Sequence, residues 1–480
     1  MKLITDTNMT DTSSKRTGRT LDMTQGRPVK IILIFAVPLF LGILLQQLYN
    51  VVDTAIAGNI LGDISLAAIG STGQIHNMII GFSMGMNTGF SLLISRAFGA
   101  KDQERLNLSI FWTMILNILT VAVLTSASLI FLDPLLSAMN TPAEIFGEAR
   151  TYLSIILAGI PVTMAYNMSA SVLRSMGNSA TPLVFLVISS VLNAGLDYMF
   201  VALFHWGVAG LACATVTAQL LSAIASLVYI IIKYPHIRFK KDFIHPPKGY
   251  VKDMFLTGLS MGLMGTIVSF GGTVLQAAVN KLGRLYIAGQ IGGTRIEVLF
   301  LAAVHAVCNS SATYFSQNFG AGKKQRIKQG IFASFLICAI GCAVCAAFAI
   351  SPLAEAAMKL VTGSDAPEVI NSGTLFIRIT LLTSPWLCVL LTLRNMLQSM
   401  GHKIIPLFAS VMEMGGKLLF AWALVPRFGY TAVCFCEPSL WFLCSVYVII
   451  VCIILRKELR DDDTENIQGV GKDAERILNV

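Results

Sequence analysis

Apolar residues run along this chain in long blocks separated by short polar stretches. The blocks fall at about 31–57, 65–95, 108–132, 151–173, 181–203 and 208–232, then 254–279, 286–315, 330–352, 374–393, 404–425 and 430–455. Each is long enough for a helix to cross about 30 Å of hydrocarbon. Backbone polar groups in lipid must be paired within the segment, so such blocks form helices. The pattern predicts an all-α polytopic membrane protein of twelve transmembrane helices, six on each side of a basic linker. The expected organisation is a tail at 1–26, an N-lobe at 27–232, a linker at 233–253, a C-lobe at 254–455 and a second tail at 456–480. The first tail is rich in Thr, Ser, Asp and Lys without apolar periodicity, which predicts a disordered cytoplasmic segment. It lacks the apolar core and cleavage site of a removable signal peptide.

The two halves repeat each other. Ser95-Arg96-Ala97-Phe98-Gly99-Ala100 returns 221 residues later as Ser316-Gln317-Asn318-Phe319-Gly320-Ala321. Leu173-Arg174-Ser175-Met176-Gly177 with Pro182-Leu183 returns 224 residues later as Leu397-Gln398-Ser399-Met400-Gly401 with Pro406-Leu407. Six helices per repeat send both halves into the membrane in the same direction. They are therefore expected to be related by a pseudo-two-fold axis along the membrane normal, as two bundles facing a central cleft.

Composition agrees with the blocks: the 480 residues are 55% hydrophobic and only 13% charged, with a mean hydropathy of +0.71. A soluble protein carries nearer a quarter charged residues. The net charge of +9 does not imply a nucleic-acid partner, because the basic residues cluster between apolar blocks. With the N-terminus inside, 27 of the 35 Lys and Arg residues lie in inner segments and five in outer loops. Arg295, Arg378 and Lys417 lie within predicted spans. This asymmetry places both termini in the cytoplasm of a multi-pass cell-membrane protein. The ten cysteines all fall in apolar blocks without zinc-site spacing and are expected to be reduced, packed thiols.

Polar residues inside the blocks separate the halves. The first half has no Lys or Arg within a predicted span, yet it holds Asp53 and Asp197. A carboxylate in the bilayer costs a few kcal/mol and is a functional candidate by default. Gln46, Tyr49 and Asp53 recur at spacings of three and four, giving helix one a polar stripe. Asn193 and Asp197 share a face of helix five. Oxygens gathered in one lobe bind a hard cation or hold a proton. In the second half, Asp53 maps to Val274, and Asn193 and Asp197 map to Glu413 and Lys417. With Arg295, Glu297, Arg378 and Glu437, the C-lobe spans carry three acids and three bases, which predicts neutralisation there. Arg295, Glu297 and His305 on helix eight remain further candidates for a substrate path.

The pattern Pro38…Gln46-Gln47-Leu48-Tyr49-Asn50-Val51-Val52-Asp53-Thr54, with Leu66-Ala67-Ala68-Ile69-Gly70 and Gly207-Val208-Ala209-Gly210, resembles the multidrug and toxic compound extrusion family. The resemblance spans all twelve blocks. It implies that Asp53, Asn193, Asp197 and Thr215 bind the coupling cation, Na⁺ or H⁺, and that Tyr49 and Asn167 line the N-lobe cavity with Gln46. Some members carry an acid on helix seven; this chain has none between Phe255 and Val279.

The expected function is antiport of organic cations or drugs against inward Na⁺ or H⁺ by alternating access. No other cofactor and no nucleic acid are expected; the partners are the lipid bilayer and organic cations, and the chain is expected to act as a monomer. Pro38 and Pro161 are candidate bending points, and Met84 and Met86 candidate soft lining. The alternative is a lipid-linked saccharide flippase, which needs basic residues in its cavity to hold a pyrophosphate. A membrane-embedded enzyme is disfavoured, because the sequence has no catalytic constellation, nucleotide-binding loop or metal motif.

Overall fold

The computed structural model describes residues 20–139 and 141–456. The N-terminal half contains α1 Pro28–Ile56, α2 Asp63–Gly99, α3 Gln103–Ile130, α4 Leu132–Ala138, α5 Ala143–Ala158, α6 Ile160–Ser175, α7 Ala180–Asp197 and α8 Gly207–Lys233. The C-terminal half contains α9 Tyr250–Asn280, α10 Arg284–Gly320, α11 Lys324–Ile350, α12 Leu353–Thr362 and α13 Pro367–Leu382. It continues with α14 Ser384–Met400, α15 Ile404–Leu419, α16 Val425–Phe428 and α17 Tyr430–Ile454. No strand occurs among the described residues. Ten spans are long and apolar enough to cross a membrane, and twelve when each of two bent pairs counts as one.

Those bent pairs are α5 with α6, at 44°, and α13 with α14, at 48°. Proline sits in the first turn of α6, as Pro161, and of α14, as Pro385. A ring without an N–H is tolerated at a helix start and breaks a helix elsewhere, so the two prolines fix both breaks. Pro38, by contrast, lies inside a continuous α1. The repeat is visible in the elements themselves: α2 and α10 start 221 residues apart, and α6 and α14 start 224 apart. Gly62 and Gly283, with φ of +84° and +111°, make the turns into α2 and α10 that a side chain would strain. Outward-facing apolar residues such as Val191, Ile231, Phe332 and Trp422 are 70% or more exposed, as a lipid-facing surface requires.

The two repeated motifs meet at the side of the bundle that bears the termini. Arg96 donates to the Ser399 carbonyl at 2.9 Å and the Gln398 carbonyl at 2.9 Å, with its guanidinium over the Phe319 ring. Its repeat equivalent Gln317 donates to the Ser175 carbonyl at 2.9 Å. Each lobe's second helix thus ties down the end of the other lobe's fourth span.

Residues 20–26, expected as part of a disordered tail, instead pack into this junction; residues 1–19 and the 457–480 part of the second tail lie outside the described residues. Met23 is fully buried. Its N–H donates to Gln317 Oε1 at 3.0 Å, and its carbonyl accepts from Asn318 at 3.1 Å. Lys323 and Arg326 donate to the Thr24 and Gly26 carbonyls, both at 2.9 Å, and Leu21 N–H donates to the Gly177 carbonyl at 3.0 Å. The segment is held by hydrogen bonds from side chains some 300 positions away, a signal with no local periodicity.

Between the lobes, α2 runs along α9 through glycines. A methyl group on Gly85 would overlap the Met261 carbonyl, and one on Gly89 would lie 2.6 Å from Gly258 Cα. At this seam backbones touch directly. Replacing Gly85 by leucine forces the helices apart, and overpacking of this kind costs about 1–3 kcal/mol or more. A melting temperature lowered by several degrees in detergent is expected, and an unchanged melting curve would contradict the contact.

Candidate ion and substrate site in the N-lobe

The polar faces of α1, α6, α7 and α8 converge on a cavity of ≈ 420 Å³. Gln46, Tyr49 and Asp53 enter from α1 on the stripe set by spacings of three and four. Asn193 enters from α7 and Thr215 from α8, with Asn167 on the α6 wall. Tyr49 Oη lies 3.3 Å from Thr215 Oγ1. In the amide orientation that satisfies both of its ends, Asn193 donates to Asp197 Oδ2 at 2.9 Å and accepts from the Thr215 N–H at 3.2 Å. The Asp53 and Asp197 carboxyl groups face each other, with Tyr152 of α5 nearby. Asp197 and Asn193 are 0% and 2% exposed.

No basic group pairs with either acid among the described residues. Asp53 Oδ1 is buried without a hydrogen-bond partner. Buried carboxylates without a partner are unfavourable unless a proton or cation joins them. All the donors are hard oxygens, which suit H⁺ or an alkali cation rather than a soft metal. The residues therefore fit the ion that the family resemblance implies.

The structure adds residues that sequence patterning missed. Thr163 of α6 hydrogen-bonds Gln219 of α8, one turn from Thr215, and His76 of α2 lines the cavity. Spacing links Thr215 to Gln219 and Thr163 to Asn167, and that four-residue rhythm was the available signal. Met84 lines the cavity, but Met86 is buried against Phe90 and Leu116. Contrary to the sequence expectation, the N-lobe spans do hold a basic residue: Arg174 lies in the last turn of α6 and lines the cavity. The apolar block stops at 173, so Arg174 reads as a flanking loop residue, whereas the helix runs to Ser175.

In the C-lobe, Lys417 donates to Glu413 at 3.0 Å and Glu437 at 2.8 Å. Lys417 is 2% exposed. Glu297 of α10 faces the Glu437 and Lys417 pair. The expected balance of three acids and three bases does not hold locally. Arg378 pairs with Glu355 of α12 at 3.1 Å and Arg295 is exposed, so the bases beside the three carboxyl groups are Lys417 and, facing Glu413, Arg394 of α14. His305 lies one turn from Asn309, the α10 residue that reaches the N-lobe cavity. Val274, opposite Asp53 in the repeat, packs in an apolar cluster with Leu275 and Val279. All ten cysteines are free thiols, eight of them buried.

Two six-span lobes about a polar cavity, with unpaired acids in one lobe, define a multi-pass membrane transporter rather than an enzyme. Comparison with known proteins agrees. The MatE family pattern matches residues 38–199 and 260–423, and the chain belongs to that family. A probable multidrug resistance protein YpnP of Bacillus subtilis is 28% identical over 308 residues, covering 64% of this chain and 68% of that protein. The multidrug export protein MepA of Staphylococcus aureus is 21% identical over 444 residues, covering 92% of this chain and 97% of its own. A crystal structure of MATE in complex with MaL6 superposes with a TM-score of 0.81 at 21% identity, covering 92% of this chain and 99% of that one.

Proposed function

We propose that this transporter is a secondary active antiporter of the cell membrane that exports organic cations and drugs in exchange for inward Na⁺ or H⁺. The observation that carries the reading is the pair of facing carboxyl groups, Asp53 in the cavity wall and Asp197 buried behind it, with no basic partner among the described residues. Asn193 and Thr215 complete the ion site, and Gln46, Tyr49 and Asn167 line the substrate cavity. The similarity to YpnP and MepA, named as multidrug resistance and export proteins, supports drugs as the cargo.

The junction of the lobes supports alternating access as the mechanism. With the terminus-side ends crossed through Arg96 and Gln317, a cycle must break those contacts and remake others. Ion binding drives this only through differential affinity for the two states. The excess of Lys and Arg on the terminus side supports cytoplasmic termini, and both lobes come from one chain, which supports a monomer. A pyrophosphate-lipid flippase is less well supported, since Arg174 alone is not a basic cradle.

The test is reconstitution into vesicles with an imposed Na⁺ or pH gradient, following a fluorescent organic cation. Uptake driven by one of the two gradients is expected. Equal dye movement with and without both gradients would sink the reading.

A further inference from the structure

A second cavity, of ≈ 430 Å³, lies at the terminus-side end of the N-lobe and shares no lining residue with the ion and substrate cavity. Ile110 and Met114 of α3, Val172 of α6 and Leu227 of α8 form its walls. Ile231 and Phe239 also line it and are exposed, so it opens sideways to the surface of the bundle. Met114 lies eleven residues into α3, about 16 Å from the start of that helix. Half of a hydrocarbon layer about 30 Å thick is nearly the same depth, so the cavity reaches through one leaflet. Its two hydroxyl groups are already engaged: Ser169 donates to the Ala165 carbonyl, and Tyr234 accepts from Asn178 at 3.3 Å. What they leave to an occupant is hydrocarbon.

Basic groups gather at the mouth. Arg238 lies between the lining residues Ile237 and Phe239, and its Nε donates to the carbonyl of Pro235, itself a lining residue, at 3.4 Å. Lys233 ends α8, directly before Tyr234. Both are exposed, and among the described residues neither makes an ion pair. The neighbouring acids are taken: Glu104 pairs with Lys240 at 3.6 Å and Asp102 with Arg105 at 3.8 Å, while Lys241 offsets the adjacent Asp242. An apolar cavity one leaflet deep beneath two free cations matches an anionic amphiphile, with its hydrocarbon inside and a phosphodiester on the guanidinium and ammonium at the rim. We propose that this cavity binds an anionic phospholipid of the terminus-side leaflet, with one acyl chain in the cavity and the phosphodiester at Lys233 and Arg238. The site is separate from the ion and the cargo and does not depend on the export reading.

The experiment titrates dioleoylphosphatidylglycerol or dioleoylphosphatidylcholine into purified full-length protein in detergent and counts bound lipid by native mass spectrometry. Phosphatidylglycerol is expected to bind about tenfold more tightly than phosphatidylcholine. Lys233→Gln combined with Arg238→Gln should bring the two lipids to within about twofold of each other. Lys328→Gln, at an exposed lysine on the same side of the other lobe, leaves the preference intact. Leu227→Trp, which fills the cavity, should weaken phosphatidylglycerol about tenfold. In unmodified protein a large excess of glycerol phosphate should fail to displace phosphatidylglycerol, which separates a lipid from a free phosphate and survives any folding defect of the variants. Equal affinity for the two lipids in unmodified protein, equal effects of Lys328→Gln and the paired change, unchanged binding in Leu227→Trp, or displacement by glycerol phosphate would overturn the site.

Discussion

Changing Asp53 or Asp197 to asparagine is expected to abolish ion-coupled export in reconstituted vesicles while leaving the protein folded. Each change keeps the shape of the side chain and removes the charge that a proton or alkali ion would neutralise. Because the two carboxyl groups face each other, either loss halves the negative charge of the site. Coupling free energies of about 1–3 kcal/mol correspond to factors of roughly 5–150, so uptake should fall by at least about fivefold. The melting temperature should hold or rise, since an amide is less costly than a carboxylate in a buried site. Undiminished gradient-driven uptake by the double variant would rule out the pair as the coupling site.

Lys417→Met is expected to produce the largest loss of stability in the chain. The ammonium is nearly fully buried between Glu413 and Glu437, with Glu297 also facing it. Removing one partner of a buried ion pair costs about 3–5 kcal/mol because the remaining charge stays uncompensated. The fourfold change Glu297→Gln, Glu413→Gln, Lys417→Met and Glu437→Gln should recover most of that loss, since the carboxyl groups that face the ammonium are neutralised with it. In a double-mutant cycle, Glu413→Gln and Lys417→Met together should cost less than the sum of the two. Strict additivity in thermal melts of the four proteins would reject the pair.

Much of the site is legible in the sequence because a carboxylate in an apolar block stands out against its neighbours. Asp53 and Asp197 come together as the pattern predicts, and the stripe Gln46, Tyr49 and Asp53 points to the cavity. Arg174 escapes because it sits one position past an apolar block, where a helix residue and a loop residue look alike. The C-lobe balance escapes because counting charges ignores direction: Arg378 and Arg295 point away from the carboxyl groups they were to neutralise. The twelve spans are legible in number, but the breaks at Pro161 and Pro385 split two of them into paired helices. Residues 20–26 escape entirely, since their partners are supplied by Gln317, Asn318, Lys323 and Arg326 of the other lobe.

The glycine seam between α2 and α9 bears on how the lobes move. Side chains that interdigitate lock two helices in register, and each rearrangement must lift knobs out of holes. Where Gly85 and Gly89 meet Met261 and Gly258, backbone touches backbone, and the side chains to lift are few, chiefly Phe90 over Gly258 and Met86 over Gly262. In the alternating-access cycle proposed above, the seam would serve as a bearing, and the contacts to be undone on each stroke would be those of Arg96 and Gln317.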